Sequence, residues 1–448
     1  MKNYDVIFIG SGHANWHAAV ALKHAGKSIA IIEKDQIAGT CTNYGCDPKI
    51  LLDGPFELLA QLKQYNGIGV TDKTTIDWTA LMAYKHKVID PLPIQMAALF
   101  NQLGIDVIMG SAQLVDKHTV SVNDQQISAE NIVIGTGQRP AKLNIPGQEF
   151  LHNSRDFLNL EKMPQKIVFI GAGVISLEFA TMANELGSSV EIVEFADHAL
   201  GAFDQRHVAK LVDKLEQSGV KFHFNEAASQ VISKNDHLEI RTNNNLQIET
   251  DYIIDATGRI PNIENIGLEK LGIKTNRGGI VVDDHLRTSV KNIYASGDVI
   301  DKQIPRLTPT ATFESNYIAQ QLLGSAGAIN YPAIPSVVFS LPRLAQIGIT
   351  SAAASESEEY HTQVIPYGKQ LLFQYKNEID AELTLILDKN NYLVGANIYG
   401  NDAPDLINLI TMIIDGHLSA NKLDEMVFAF PSASIGVISL ISIMLHRD

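Results

Sequence analysis

The sequence predicts an α/β chain with two Rossmann-like nucleotide-binding regions followed by an α+β block, and three stretches carry that prediction. Val6 to Ile9 is a fully apolar strand that runs into Gly10-Ser11-Gly12, a helix-like segment from Ala14 to Ala25, and a second strand, Ser28 to Ile32, closed by Glu33. The same order returns at Lys166 to Ile170, Gly171-Ala172-Gly173-Val174-Ile175-Ser176, a helix to about Leu186, and Ser189 to Val193 closed by Glu194. From Tyr331 onward, strand patterns near Val337, Glu382 and Leu393 alternate with helical ones near Pro404 and Ala433.

Each part of the first unit has a physical role. Gly10 makes the turn, Gly12 lets the backbone approach a pyrophosphate, and the helix N-terminus stabilises that negative charge. Glu33 stands where an acid holds a ribose. Asn15 replaces the third glycine, so the helix is expected to sit slightly further from its strand. His13 and His17 flank the loop and are expected to be solvated or packed beside the bound nucleotide, not catalytic.

The second unit implies a second nucleotide. Ser176 is small enough for the third glycine's place. Glu194 can accept from a free 2′-hydroxyl and would repel a 2′-phosphate, and no arginine follows until Arg206, so NADH is expected over NADPH.

At 448 residues with 45% hydrophobic content, about three domains and large cores are expected. A formal charge of −15 argues against nucleic acid and anionic membrane surfaces as partners. The opening Met-Lys-Asn-Tyr-Asp-Val has no apolar signal core, and the apolar run Ile435 to Leu445 has eleven residues against the roughly 20 of a spanning helix. A cytoplasmic location without membrane partners is expected.

Cys41 and Cys46 are the only cysteines, and they stand inside Gly39-Thr-Cys-Thr-Asn-Tyr-Gly-Cys-Asp-Pro-Lys49. A redox pair, a metal site and two buried small hydrophobes are all readings of such a pair. Zinc wants four ligands, and no metal site is assigned. In a regular helix five residues rise roughly 7.5 Å, beyond the Cα separation a disulfide tolerates, so a redox pair needs a distorted helix, which Gly45 permits. Asp47 is expected to raise the Cys46 pKa, with Lys49 opposing it.

This segment resembles the redox segment of the flavoprotein disulfide reductases, the family of glutathione reductase, dihydrolipoamide dehydrogenase and mercuric reductase. The resemblance implies that Cys41 attacks the substrate and that Cys46 lies against the flavin as a charge-transfer thiolate. Glu178, one turn into the second helix, matches the glutamate that pairs with a lysine at the flavin edge, here Lys49. Gly10, Gly12, Ala14, Glu33, Thr40, Ala112, Thr136, Gly137, Asp298, Pro309 and Ala311 fall at FAD-binding positions. Gly171, Gly173, Val174, Ile175 and Glu194 fall at NAD-binding ones, with Gly258 in the hinge motif Asp255 to Asn262. The family's division gives residues 1–140 as the first part of the FAD-binding domain, 141–262 as the NAD-binding domain, 263–328 as the FAD-binding return and 329–448 as a dimerisation domain. A homodimer is therefore expected.

One departure bears on substrate. Disulfide-reducing members carry a His-Pro-Thr segment with a glutamate five residues after the histidine, and this pair handles protons for the departing thiol. Here the run is Phe430-Pro431-Ser432-Ala433-Ser434-Ile435. His417 and His446 are the nearest histidines and are expected at the surface. Mercuric reductases share Phe-Pro but also carry a C-terminal Cys-Cys, which this chain lacks. The expected activity is electron transfer from NADH through FAD and the Cys41/Cys46 disulfide to a small-molecule acceptor. A disulfide with a good leaving thiol, a metal ion, and a quinone or dioxygen stand as acceptors. A binding or sensor protein with structural nucleotides is the alternative of another class.

Overall fold

Strands covered on both faces need continuous apolar runs, and Val6–Ile9, Ile29–Ile32 and Ile167–Ile170 supply them. A computed structural model describes residues 2–71, 74–325 and 327–446. In chain order the elements that carry the site are β1 (Lys2–Ile9), α1 (His13–His24), β2 (Ile29–Glu33), α2 (Gly39–Tyr44), α3 (Cys46–Gln64), β3 (Lys166–Ile170), α4 (Val174–Glu185), β4 (Ser189–Val193), α5 (Thr308–Leu322) and α6 (Ala433–Leu445). The chain divides into two compact units, Met1–Leu52 with Ala80–Ala141 and Gly258–Tyr331, and Asp53–Thr79 with Lys142–Thr257 and Pro332–Asp448.

The first unit is built on a sheet in which β1 is central. It pairs in parallel with β2 (Val6 opposite Ile29, Ile9 opposite Ile32) and with Gln125–Ile134 (Ile7 opposite Ile132). Asp106–Met109 extends the sheet beyond β2, and Ile293–Ala295 pairs with Gln125–Ile134. Both faces of β2 are buried along its whole length. The carboxyl ends of β1, Gln125–Ile134 and Ile293–Ala295 therefore stop at one edge, and Gly10, Gly135 and Ser296 follow directly.

In the second unit β3 pairs in parallel with β4 and with Tyr252–Asp255. The remainder carries a five-stranded antiparallel sheet in the order 336–338, 344–348, 393–399, 382–388, 360–365. The helix Ala403–Asp415 buries Leu406, Ile407 and Ile410 in the core of that sheet, and α6 adds Val437 and Ile441 to the same cluster. α6 is a 13-residue core helix, and among the described residues no helix is long and apolar enough to cross a membrane.

Candidate active site

The first glycine loop is shaped by backbone contact. Gly10 has φ +98°, and a Cβ there would stand 2.5 Å from the Gly135 carbonyl oxygen. Gly12 precedes α1 without a side-chain cap, and no acid lies in the helix's first turn. The partial positive charge of that terminus is thus left for an external anion, which fits the pyrophosphate of FAD. Glu33 is buried and accepts from Ser11 N at 2.9 Å, Ser11 Oγ at 2.7 Å, Lys34 N at 2.8 Å and Asp35 N at 2.9 Å. Asn15, in the place of the third glycine, bridges the helix and its strand. It is fully buried and donates from Nδ2 to the Ile9 and Gly10 carbonyls, while Gly135 leaves room for it.

Ser11 also joins this loop to the redox segment. Its Oγ accepts from Ala38 N at 3.0 Å. Ala38 precedes α2 in the left-handed region at φ +76°, a conformation that costs an alanine roughly 1–2 kcal/mol. A Cβ on Gly39 would lie 2.8 Å from Gly12 Cα, so the two loops touch backbone to backbone.

The distortion expected between the cysteines is present. α2 ends at Tyr44, Gly45 takes φ −137° and ψ −116°, and α3 starts at Cys46. A Cβ at Gly45 would meet Thr40 O at 3.0 Å and Cys41 Cα at 3.2 Å. Both cysteines are free thiols, Cys41 half-buried and Cys46 exposed. Hydrogen bonding from the Cys41 thiol lowers the Cys46 pKa to about 6, helped by Thr308 and by the Lys49 charge, and the same bond pushes Cys41 up. Thr308 Oγ1 lies 3.5 Å from Cys46 Sγ. Asp47 does raise the Cys46 pKa, as expected, but the hydrogen bonds outweigh it and the net direction is downward.

Of the other residues expected at FAD, Ala14 on α1 and Ala311 on α5 meet at the turn after Ile293–Ala295. Ser296 Oγ donates to the Ala14 carbonyl at 2.8 Å. A Cβ on Gly297, at φ +78°, would lie 2.6 Å from that of Ala14 and 3.7 Å from that of Ala311. Asp298 follows on this turn, and its charge acts on Arg259. Buried Glu314 holds the turn, accepting from Gly297 N at 2.5 Å and Lys302 Nζ at 2.7 Å. Thr136 Oγ1 donates to Asn262 O at 2.7 Å, and Asn262 N donates to Gly137 O at 2.9 Å. Gly258 O accepts from Ala141 N at 2.9 Å. Pro309 lies in the first turn of α5, Ala112 is buried, and Thr40 is exposed on α2.

In the second unit Gly171 has φ +94°, and a Cβ would stand 2.8 Å from the Ala256 carbonyl oxygen. Gly173 precedes α4, which begins Val174-Ile175, again with no side-chain cap and no acid in the first turn. A Cβ at Gly173 would meet nothing within 4 Å. Buried Glu194 accepts from Ala172 N at 2.6 Å and Ala196 N at 2.8 Å. Ser176 Oγ donates to the Gly171 carbonyl. These residues fit a second dinucleotide.

Lys49 lies on α3 in the first unit, and Glu178 is buried on α4 in the second, accepting from Phe339 N at 2.8 Å. His13 and His17 face each other, half-buried, with ring nitrogens 3.2 Å apart. Phe430 is 73% exposed. His417 stacks on Tyr392, and His446 Nε2 lies 2.8 Å from Asp424, both on exposed surface. Sequence reasoning missed Ser11, Thr308 and Glu314. Nothing local in the sequence says that the Thr308 hydroxyl meets a thiol 262 residues away.

Two glycine-loop βαβ units and a polarised dithiol define a dinucleotide-dependent dithiol oxidoreductase. The chain belongs to the pyridine nucleotide-disulphide oxidoreductases: that family matches residues 4–315, and its dimerisation domain matches residues 334–437. Members use FAD and NAD(H). The chain is 32% identical over 441 residues to dihydrolipoyl dehydrogenase of Bacillus subtilis, covering 96% of this chain and 93% of that one. It is 30% identical over 440 residues to the Geobacillus stearothermophilus protein of the same name, again covering 96% and 93%. Among solved structures it resembles the HOCl-induced flavoprotein disulfide reductase RclA from Escherichia coli, with TM-score 0.87, 28% identity and coverage of 98% and 99%. A Cu(II) complex of RclA matches with TM-score 0.87 at 27% identity, covering 97% and 98%.

Proposed function

We propose that the protein is a homodimeric NADH-dependent reductase whose Cys41/Cys46 dithiol delivers electrons to an acceptor that needs no proton from the enzyme, a redox-active metal ion before an alkyl disulfide. The observation that carries this reading is the pairing of a thiolate-poised Cys46 with Phe430 and Ile435 at the positions of the proton-handling pair. Loss of a positioned general acid costs about 10² to 10⁴ in rate for a leaving group that must be protonated. A metal ion makes no such demand. The Cu(II) complex of RclA supports this acceptor class.

FAD, when bound, supplies the two-electron relay between nicotinamide and disulfide. The chain's own residues do the rest. Gly10, Gly12, Ala14, Glu33, Thr40, Ala112, Thr136, Gly137, Asp298, Pro309 and Ala311 would hold FAD, and Gly171, Gly173, Val174, Ile175, Glu194 and Gly258 would serve the nicotinamide dinucleotide. Lys49 and Glu178 would supply the charges that the family places at the flavin edge. Glu194 sets the preference for NADH. Cys41 is the attacking thiol, and Thr308 steadies the Cys46 thiolate. NADH, a proton and the disulfide give NAD⁺ and two thiols; two thiols and two Cu(II) then give the disulfide, two Cu(I) and two protons. Exposed Val427 and Phe430 support an interface with a second copy.

A second reading, reduction of a lipoamide-type disulfide, draws on the dihydrolipoyl dehydrogenase relatives. Steady-state assays with Cu(II), a quinone, dioxygen, an aromatic disulfide, lipoamide and glutathione disulfide separate the two. Turnover of lipoamide or glutathione disulfide at about 10 per second or more would sink the first reading. Under that reading, Phe430→His with Ile435→Glu raises alkyl-disulfide turnover and leaves NADH-dependent flavin reduction unchanged. Anaerobic NADH should expose two thiols per chain; no new thiols would point to a sensor instead.

A further inference from the structure

We propose that His13, His17 and Thr312 form a binding site for a tetrahedral divalent ion of the zinc type, with its fourth position open to water or an external ligand. His13 Nδ1 lies 3.2 Å from His17 Nε2, and Thr312 Oγ1 lies 3.4 Å from the first and 3.3 Å from the second. Bonds of about 2.0–2.1 Å to zinc place the ligands of a regular tetrahedron about 3.3–3.4 Å apart. The three polar atoms therefore match one face of such a site in their spacing.

The site is also braced. His13 and His17 occupy one face of α1 at a spacing of four residues, where side chains are neighbours. His17 stacks on Trp16 with ring centroids 3.5 Å apart. Thr312 comes from α5, which is fastened to α1 by Ala18 N donating to Ser315 Oγ at 3.0 Å. Burial lowers the pKa of His13 and lowers that of His17 to about 4. The Asp47 charge acts on His13 in the opposite direction and adds attraction for a cation.

Among the described residues no group of three or more His, Cys, Asp or Glu is placed to hold a metal. Two imidazoles and a hydroxyl make an open, exchangeable site, not a closed structural one. This inference does not rest on the identity of the electron acceptor.

The test is Zn(II) calorimetry on the flavin-loaded protein in its disulfide form, so that no thiol competes, with Co(II) visible absorption as the readout of tetrahedral geometry. One ion per chain is expected. His17→Phe, which keeps a ring against Trp16, and His13→Ala should each weaken binding by about 10–100-fold or more, the range commanded even by the outer partners of a metal. Thr312→Val should weaken it less. Flavin absorbance checks that each variant is folded, and His17→Gln replaces any variant that loses flavin. Absence of Zn(II) binding to the wild type, or unchanged binding in the flavin-retaining histidine variants, overturns the proposal.

Discussion

The two glycine loops share one design and differ in how many hydrogen bonds hold the acid that closes them. In the first, Ser11 gives Glu33 both a backbone and a side-chain hydrogen bond, and Lys34 and Asp35 add two more. In the second, Ala172 and Ala196 each give Glu194 one. A carboxylate has about four lone-pair sites. The first acid is thus fixed by four bonds, whereas the second is held by two, one on each oxygen. A firmly fixed acid suits a cofactor that stays; a more loosely held one suits a nucleotide that must bind and leave. Ser11 also reaches Ala38 and so ties the first loop to the redox helix, a connection for which Ala172 has no hydroxyl.

The largest expected contrast comes from the turn glycines. Gly10→Ala should yield protein without flavin, because the Cβ meets a backbone oxygen that cannot retreat. Gly171→Ala should keep its flavin yet lose NADH-dependent reduction by about 10²-fold or more, equivalent to roughly 3 kcal/mol. Flavin content and stopped-flow reduction read the two, and flavin loss in both would erase the distinction.

A smaller effect is expected at the acids. Glu194→Ala should lower the preference for NADH over NADPH from at least about tenfold to near one, since a single repelled phosphate accounts for it. Half-reaction rates with each nucleotide decide. Equal rates in the wild type would show that Glu194 does not face the ribose.

Ser11→Ala removes a donor to Glu33 and the acceptor of Ala38 N, and should destabilise the holoprotein by about 1–3 kcal/mol. Ala172→Ser should change stability little. Thermal release of flavin measures both, and equal responses would mean that the hydroxyl does not distinguish the loops.

The smallest effect concerns the redox helix that Ser11 anchors. The Cys46 thiolate should be present above about pH 6 and lost as the pH falls through that value. Thr308→Val removes a hydrogen bond to the thiolate and should raise the midpoint by about half to one unit. Asp47→Asn removes a neighbouring negative charge and should lower it. The pH titration of thiolate-dependent flavin absorbance in the reduced protein follows both.

Much of this was legible in one sequence, because the signals are local. An apolar run followed by a glycine turn, a helix and an acid at a strand end specifies a βαβ unit wherever it occurs, and the spacing of Cys41, Gly45 and Cys46 requires a broken helix. Residue order alone specifies the α/β class, both glycine loops, the dithiol and the absence of histidine at position 430. The folded arrangement is needed to see that Ser296 holds Ala14 across 282 residues, that Thr308 meets Cys46, that Asn15 stitches α1 to its strand, and that the Cys46 pKa falls despite Asp47. Hydrogen bonds and charge effects depend on distances of a few ångströms between residues far apart in the chain, and periodicity along the chain carries no record of those distances.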